Sequence, residues 1–159
     1  MLISSFVYSR IDYCNAILTL SKTSGINRLQ RIQNCCARLV KRLPRMSPTS
    51  HAIKELRWLR IKERIHYKVC CFVHTCIYGD APLYMKKLIF LSSSSSSVIS
   101  LRSHTAPILH QPVSRSSFVN KSFSFIGPRL WNSLPAYLRS EKCFVRFKRQ
   151  LKVFLLTRT

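Results

Sequence analysis

The stretch INRLQRIQNCCARLVKRLP, residues 26–44, decides how this chain reads. Its apolar residues Ile26, Leu29, Ile32, Cys36, Leu39, Val40 and Leu43 recur at three- and four-residue steps until Pro44 stops the run. That spacing is the period of an α-helix with one apolar face. At about 100° per residue, Arg28, Arg31, Arg38 and Arg42 fall in one sector, with Lys41 at its margin, and the apolar stripe lies roughly opposite. Arg28 to Arg42 spans about 21 Å of helix axis, enough to follow several phosphates of a nucleic-acid backbone. No acid interrupts the face. A face that only confers solubility usually mixes signs, whereas guanidinium groups clamp phosphate oxygens as bidentate forks.

The same patterning continues outward. After Pro48 a short segment carries Ile53, Leu56 and Trp58, with Ser50 placed to cap it. A longer helix is expected from Ile61 through Ile65, Val69, Phe72 and Cys76, ending at Gly79, a residue suited to a left-handed cap. Residues 80–91 read as a turn at Ala81–Pro82 and a short helix. Six serines, 92–97, cannot bury apolar surface and mark a linker between a helical basic region, 1–91, and a second region, 98–159. Pro107 and Pro112 leave room for at most one short strand pair there. Gly127–Pro128 predicts a turn or a first helical position. Beyond Pro135, Ser140 reads as an N-cap and Glu141 as a first-turn acid for a last helix. Its apolar stripe is Phe144, Phe147, Leu151, Phe154 and Leu155, and its other face carries Lys142, Arg146, Lys148, Arg149 and Lys152. Lys54, Arg57, Arg60, Lys62, Arg64 and Lys68 form a further basic block, relieved by Glu55 and Glu63. The expected fold is therefore mainly α, a basic multi-helical bundle with a short irregular or β segment.

Composition narrows the function. Among 159 residues, 27 Lys and Arg face five acids, a net charge of +22. The acids Asp12, Glu55, Glu63, Asp80 and Glu141 are scattered. Two-carboxylate hydrolysis and two-metal phosphoryl transfer need clustered acids, so neither is favoured. The charge favours a polyanionic partner, RNA or DNA, because neutralising phosphates releases condensed counterions. Tyr67, Tyr78, Trp58 and Trp131 are candidate platforms for unpaired bases, against the plainer reading that they belong to the core.

His66, Cys70 and His74 line one strip of the third helix near Glu63, a donor set zinc accepts. One straight helix cannot surround an ion, so Cys14, Cys35 or Cys143 would have to complete the site; the plainer reading is buried cysteines and a partly exposed histidine pair, and no cofactor is expected. No G-x-S-x-G elbow, phosphate-binding glycine loop or zinc-finger spacing is present. Seven cysteines, an odd number, fit a reducing, intracellular setting. Met1 to Leu20 lacks a basic lead-in and a cleavage site, and no uncharged run reaches transmembrane length.

The phrases themselves resemble a known family. SRIDYCNAIL (9–18), INRLQRIQNCCARLV (26–40), IKELRWLRIKERIHYKV (53–69), IYGDAPLYM (77–85), SLRS (100–103), FSFIGPRLWNSLPAYLRS (123–140) and FVRFKRQLKVFLL (144–156) stand in the order found after the palm of non-LTR, LINE-type retrotransposon reverse transcriptases, the jockey-like group and its relatives. The chain departs from that pattern at Arg60, where proline is common, and at Cys70, Cys71 and Cys76, where aliphatics are. The resemblance implies a thumb-like and tail region that holds template and primer, a non-catalytic fragment of an RNA-directed DNA polymerase whose Tyr-x-Asp-Asp palm and endonuclease are not in this sequence. The rest of such an enzyme is then a further partner. Two other readings stand beside it: a basic amphipathic module for membrane surfaces or protein partners, and a translated remnant without function.

Overall fold

Two glutamines, rather than the apolar stripe, fasten the first long helix. The computed structural model describes residues 3–13, 15–91, 106–116 and 119–158, without the side chains of Ser4 and Leu20. The chain is mainly helical, and among the described residues its β structure is one isolated antiparallel bridge, Leu91 to Leu109. It forms two compact units, Met1–His66 with Lys152–Thr159, and Tyr67–Leu151. The serine run and SLRS lie outside the described residues.

In the first unit, a π-helical turn (Ser4–Tyr8) runs into α1 (Ser9–Asp12), and a 3-10 segment (Asn15–Leu20) leads to α2 (Thr23–Lys41) and α3 (Ser50–Glu55). The buried face of α2 holds Gln33 and Ala37, both 0 % exposed. Gln33 Nε2 donates to Tyr8 Oη at 2.9 Å and to the Leu59 carbonyl at 2.8 Å, and Gln33 Oε1 accepts from Gln30 Nε2 at 3.0 Å. Gln30 Oε1 in turn accepts the backbone N–H of Ile61 at 3.0 Å, satisfying a donor that the start of α4 (Ile61–Tyr78) leaves open. The expected apolar stripe is only partly turned to the core: Ile32, Leu39 and Val40 are 49 %, 72 % and 44 % exposed, while Ile26, Leu29, Cys36 and Leu43 are half-buried. Buried polar groups must be paired, and these amides have partners only if their face turns inward.

Helices α2 and α3 end in the same way. Among the described residues, Arg42 and Arg57 are the two non-glycine residues with positive φ, 51° each. Leu43 N–H bonds to the Arg38 carbonyl and Arg42 N–H to Leu39; Trp58 N–H bonds to Ile53 and Arg57 N–H to Lys54. These are paired Schellman closures. The residues just beyond them, Leu43 and Trp58, pack on one small cluster of Ala37, Ala52 and Ile53. The left-handed caps therefore fall on arginines, and Gly79, where one was expected, does not have positive φ. Gly79 serves close approach instead: a Cβ there would lie 3.1 Å from the Thr75 carbonyl oxygen and Cγ2. Ser50 is the first residue of α3 and its neighbour Thr49 precedes the helix without a side-chain cap, so the Ser50 cap is also corrected.

The second unit is built on α4 from Tyr67 onward, with α5 (Leu83–Lys86), α6 (Phe123–Asn132), α7 (Ala136–Arg139) and α8 (Phe144–Thr157) as far as Leu151. Helix α6 runs on through Gly127–Pro128, where a turn or a first helical position was expected, so Pro128 sits inside the helix. Proline removes a backbone donor and costs a helix interior about 3 kcal/mol. Here both residues are buried, and a Cβ on Gly127 would stand 3.1 Å from Val73 Cγ2 of α4. Close helix packing thus offsets the lost hydrogen bond.

The phrase WNSLP then pins the irregular segment 106–110. Trp131 Nε1 donates to the Pro107 carbonyl at 3.1 Å, and the Asn132 amide mimics a strand edge, accepting from Leu109 N–H at 3.0 Å and donating to the Leu109 carbonyl at 2.7 Å. Arg139 adds a bond to Pro107 at 3.3 Å. Ser140 closes α7 by bonding the Ala136 carbonyl and does not cap α8; Glu141 Oε1 accepts Cys143 N–H before that helix begins.

Candidate nucleic-acid interface

The charge map of α2 changes once its neighbours are present. Arg28 and Arg31 are exposed and, among the described residues, have no anionic partner. Arg42 is exposed too, but as a left-handed residue beyond the helix end its side chain leaves the wheel position assigned to it. Arg38 is half-buried, its Nε donating to the Ser47 carbonyl at 3.1 Å. Lys41 pairs with Glu55 at 2.6 Å, and that ammonium holds the Glu55 carboxyl below its ordinary range. Arg28 and Arg31 on this face, and Arg42 just beyond its end, therefore remain for an external anion.

Part of the neighbouring basic block is also engaged. Arg64 grips Asp12 with two bonds of 2.5 Å and lies 4.2 Å over the Tyr8 ring. Tyr8, whose ring meets Trp58 edge-on at 5.0 Å, has its hydroxyl pushed up to about 12 by burial. Arg60 donates to Ser50 Oγ at 3.3 Å. Lys54, Arg57 and Lys62 stay exposed, and Lys68 is half-buried in the other unit.

The second unit carries its own cations. Lys142, which precedes α8, and Arg146, Lys148 and Arg149 on it are all exposed. Lys148 Nζ lies 5.0 Å over the Phe144 ring. Lys152, also exposed, belongs to the first unit. Each unit thus carries a basic face, α2 with Arg42 in the first and the start of α8 in the second.

Three of the aromatics considered as base platforms are structural. Trp131 is 0 % exposed, Trp58 packs on Tyr8, and Tyr78 donates to the Arg139 carbonyl at 2.7 Å. Tyr67 lines a cleft of the second unit. The rings that sequence reading passed over are Phe72 and Phe144, 43 % and 40 % exposed, which it assigned to apolar stripes. The signal was their placement among lysines, Lys68 and Lys148, each four residues away along a helix.

The zinc strip has a different explanation. Among the described residues no three His, Cys, Asp or Glu side chains gather to hold a metal. Cys70 is buried, which raises its thiol above the ordinary range, and His74 is 2 % exposed. His74 stacks on Phe147 with centroids 4.4 Å apart and bonds the Glu141 carbonyl through Nε2 at 2.9 Å. A carbonyl only accepts, so Nε2 carries the proton and Nδ1 is left bare; that buried Nδ1 has no protein partner. Burial lowers the His74 pKa, against the raising pull of the Glu141 carbonyl and carboxylate. Cys14 lies outside the described residues; Cys35 and Cys143 are exposed free thiols.

No helix among the described residues is long and apolar enough to cross a membrane. Compared with protein-family models, curated proteins and solved structures, the chain matches none.

Proposed function

We propose that the chain binds the backbone of RNA or DNA, as a non-catalytic piece similar to the region that follows the palm of LINE-type reverse transcriptases. The observation that carries the reading is the guanidinium set Arg28, Arg31 and Arg42, which has no acidic partner among the described residues, beside a surplus of 22 positive charges. Lys142, Arg146 and Arg149 supply a second set. Two of the five carboxylates, Asp12 and Glu55, are held by Arg64 and Lys41.

The test is a salt titration of duplex binding by fluorescence anisotropy. Each phosphate neutralised contributes about −0.9 to the slope of log affinity against log salt. One face with three contacts gives about −3, and both faces about −5. Replacing Arg28, Arg31 and Arg42 together by Gln should flatten the slope by about 2.7. A flat response in the parent chain, or an unchanged slope in the triple variant, refutes the reading.

A second reading has one specific observation in its favour. Ile32, Leu39 and Val40 leave an exposed apolar strip on the helix that carries Arg28 and Arg31, the arrangement of a helix lying on an anionic membrane or a protein partner. Liposome flotation in the presence of excess RNA separates the two: lipid binding that RNA does not abolish favours the membrane.

A further inference from the structure

The second unit contains a cleft of about 240 Å³ between α4 and α8. Tyr67, Lys68, Cys71 and Phe72 line it from α4, Phe144 and Lys148 from α8. Two aromatic rings of the lining, Phe72 and Phe144, stand 43 % and 40 % exposed. Two ammonium groups share the lining with no carboxylate. The floor is neutral: burial pushes the Cys71 thiol up to about 11, although a hydrogen bond from Tyr67 and the charges of Lys148 and Lys68 pull it down. Lys68 and Lys148 both line the cleft, which brings two positive charges to one small space.

Aromatic wall, uncharged floor and paired cations are complementary to a planar ring joined to a phosphate. The volume lies under the roughly 300–1,000 Å³ of sites for larger organic ligands, so it suits one ring and not an extended molecule. Lys148 already lies over the Phe144 ring. Among the described residues no ring or cation is stacked on Phe72, which leaves it as the platform. A base within a duplex cannot reach such a site, because both its faces are covered by neighbours; an unpaired base can.

We infer that this cleft takes one unstacked nucleobase against Phe72, with its phosphate on Lys68 and Lys148, and so makes the second unit a reader of single strands. The inference rests on the nucleic-acid reading above and sharpens it. The α2 face follows backbone charge and accepts duplex or single strand; the cleft accepts only a strand with free bases.

The experiment compares the full chain with Phe72→Ala on a labelled single strand and on the matching duplex. Phe72 is partly exposed, so the variant is expected to keep its helicity, which circular dichroism verifies. Removing one stacking ring typically costs about 1–3 kcal/mol, and a shallow cleft belongs at the lower end, a roughly five- to tenfold weaker single-strand affinity. Duplex affinity and the salt slope should not move. Unchanged single-strand affinity overturns the inference, and so does an equal loss on both ligands. A second measurement separates this outcome from failure of the backbone reading. In Phe72→Trp, fluorescence above the parent background should be quenched by adenosine monophosphate and not by ribose 5-phosphate. Quenching with no oligonucleotide binding by the parent chain leaves the cleft as a nucleotide site and sinks the backbone reading; no difference between the two ligands sinks the cleft.

Discussion

Arginine in a left-handed cap is a position where stability and binding should pull in opposite directions. At Arg42 (φ 51°, ψ 40°) the Cβ crowds the following carbonyl oxygen, a cost of roughly 1–2 kcal/mol for any non-glycine residue. Glycine removes that cost but gives up about 0.5–1 kcal/mol through the greater freedom of the unfolded chain. Arg42→Gly should therefore stabilise the chain by about 0.5–1 kcal/mol, a rise of roughly 2–4 °C in Tm per kcal/mol for a chain of this size. Arg57→Gly, at the twin position with the same φ, should give the same gain. The binding consequences are tied to charge: Arg42→Gly should flatten the duplex salt slope by about 0.9 if Arg42 contacts a phosphate. Arg42→Ala separates the two effects, since alanine removes the charge and keeps the crowded backbone, so the slope changes and the stability gain does not appear. Thermal melts by circular dichroism and anisotropy titrations at several salt concentrations supply the readouts. A loss of stability in both glycine variants would show that the Schellman closures are not under strain, and a stabilised Arg42→Gly with an unchanged slope would remove Arg42 from the binding face.

Two other perturbations probe the interior. Asp12→Asn keeps the volume but removes the anion from the bidentate Arg64 pair, whose side chains are only 28 % and 20 % exposed, and should cost about 1–2 kcal/mol; a double-mutant cycle with Arg64→Gln should return a coupling of at least about 1 kcal/mol, and a coupling near zero refutes the pair's role. His74 has its pKa lowered in the folded chain, chiefly by burial, so the unfolded chain binds its proton more readily and stability falls as pH drops below about 6.5, at no more than about 1.4 kcal/mol per pH unit. In His74→Gln, which keeps an N–H for the Glu141 carbonyl, that acid-side decline in urea midpoint should disappear; its persistence would assign the decline to other groups.

What could be read in the sequence, and what could not, follows from where each residue's partner lies. Helix α4 is legible because its signal is local: the apolar steps from Ile61 to Cys76 and the halt at Gly79 need no outside information. The extent of α2 is legible for the same reason, but its orientation is not. A wheel places apolar residues inward, whereas the true inner face is chosen by Tyr8, Leu59 and Ile61, which reach Gln30 and Gln33 from 25 to 31 residues away. The i, i+3 glutamines followed by Ala37 were the available clue. Gly127–Pro128 misleads because local turn preference is overridden by close packing on Val73. The basic faces are legible as charge and illegible as sites, since only the fold discloses that Lys41 meets Glu55 and Arg38 meets Ser47.

Those engagements also explain why so few acids matter. Asp12 and Glu55 each meet a cation of the first unit, and Glu141 meets a backbone N–H of the second. The carboxylates thus work within the units, on Arg64, on Lys41 and on the approach to α8, and none of these three stands free against Arg28, Arg31 or Arg42. An anionic ligand approaching those arginines displaces no internal ion pair, so its binding free energy is not diminished by the breaking of one. At Lys41 it would have to compete with Glu55 at 2.6 Å, and at Arg38 with a backbone carbonyl. The cations open to a polyanion are accordingly set less by how many arginines lie on a helical wheel than by which of them the few carboxylates and carbonyls leave unclaimed.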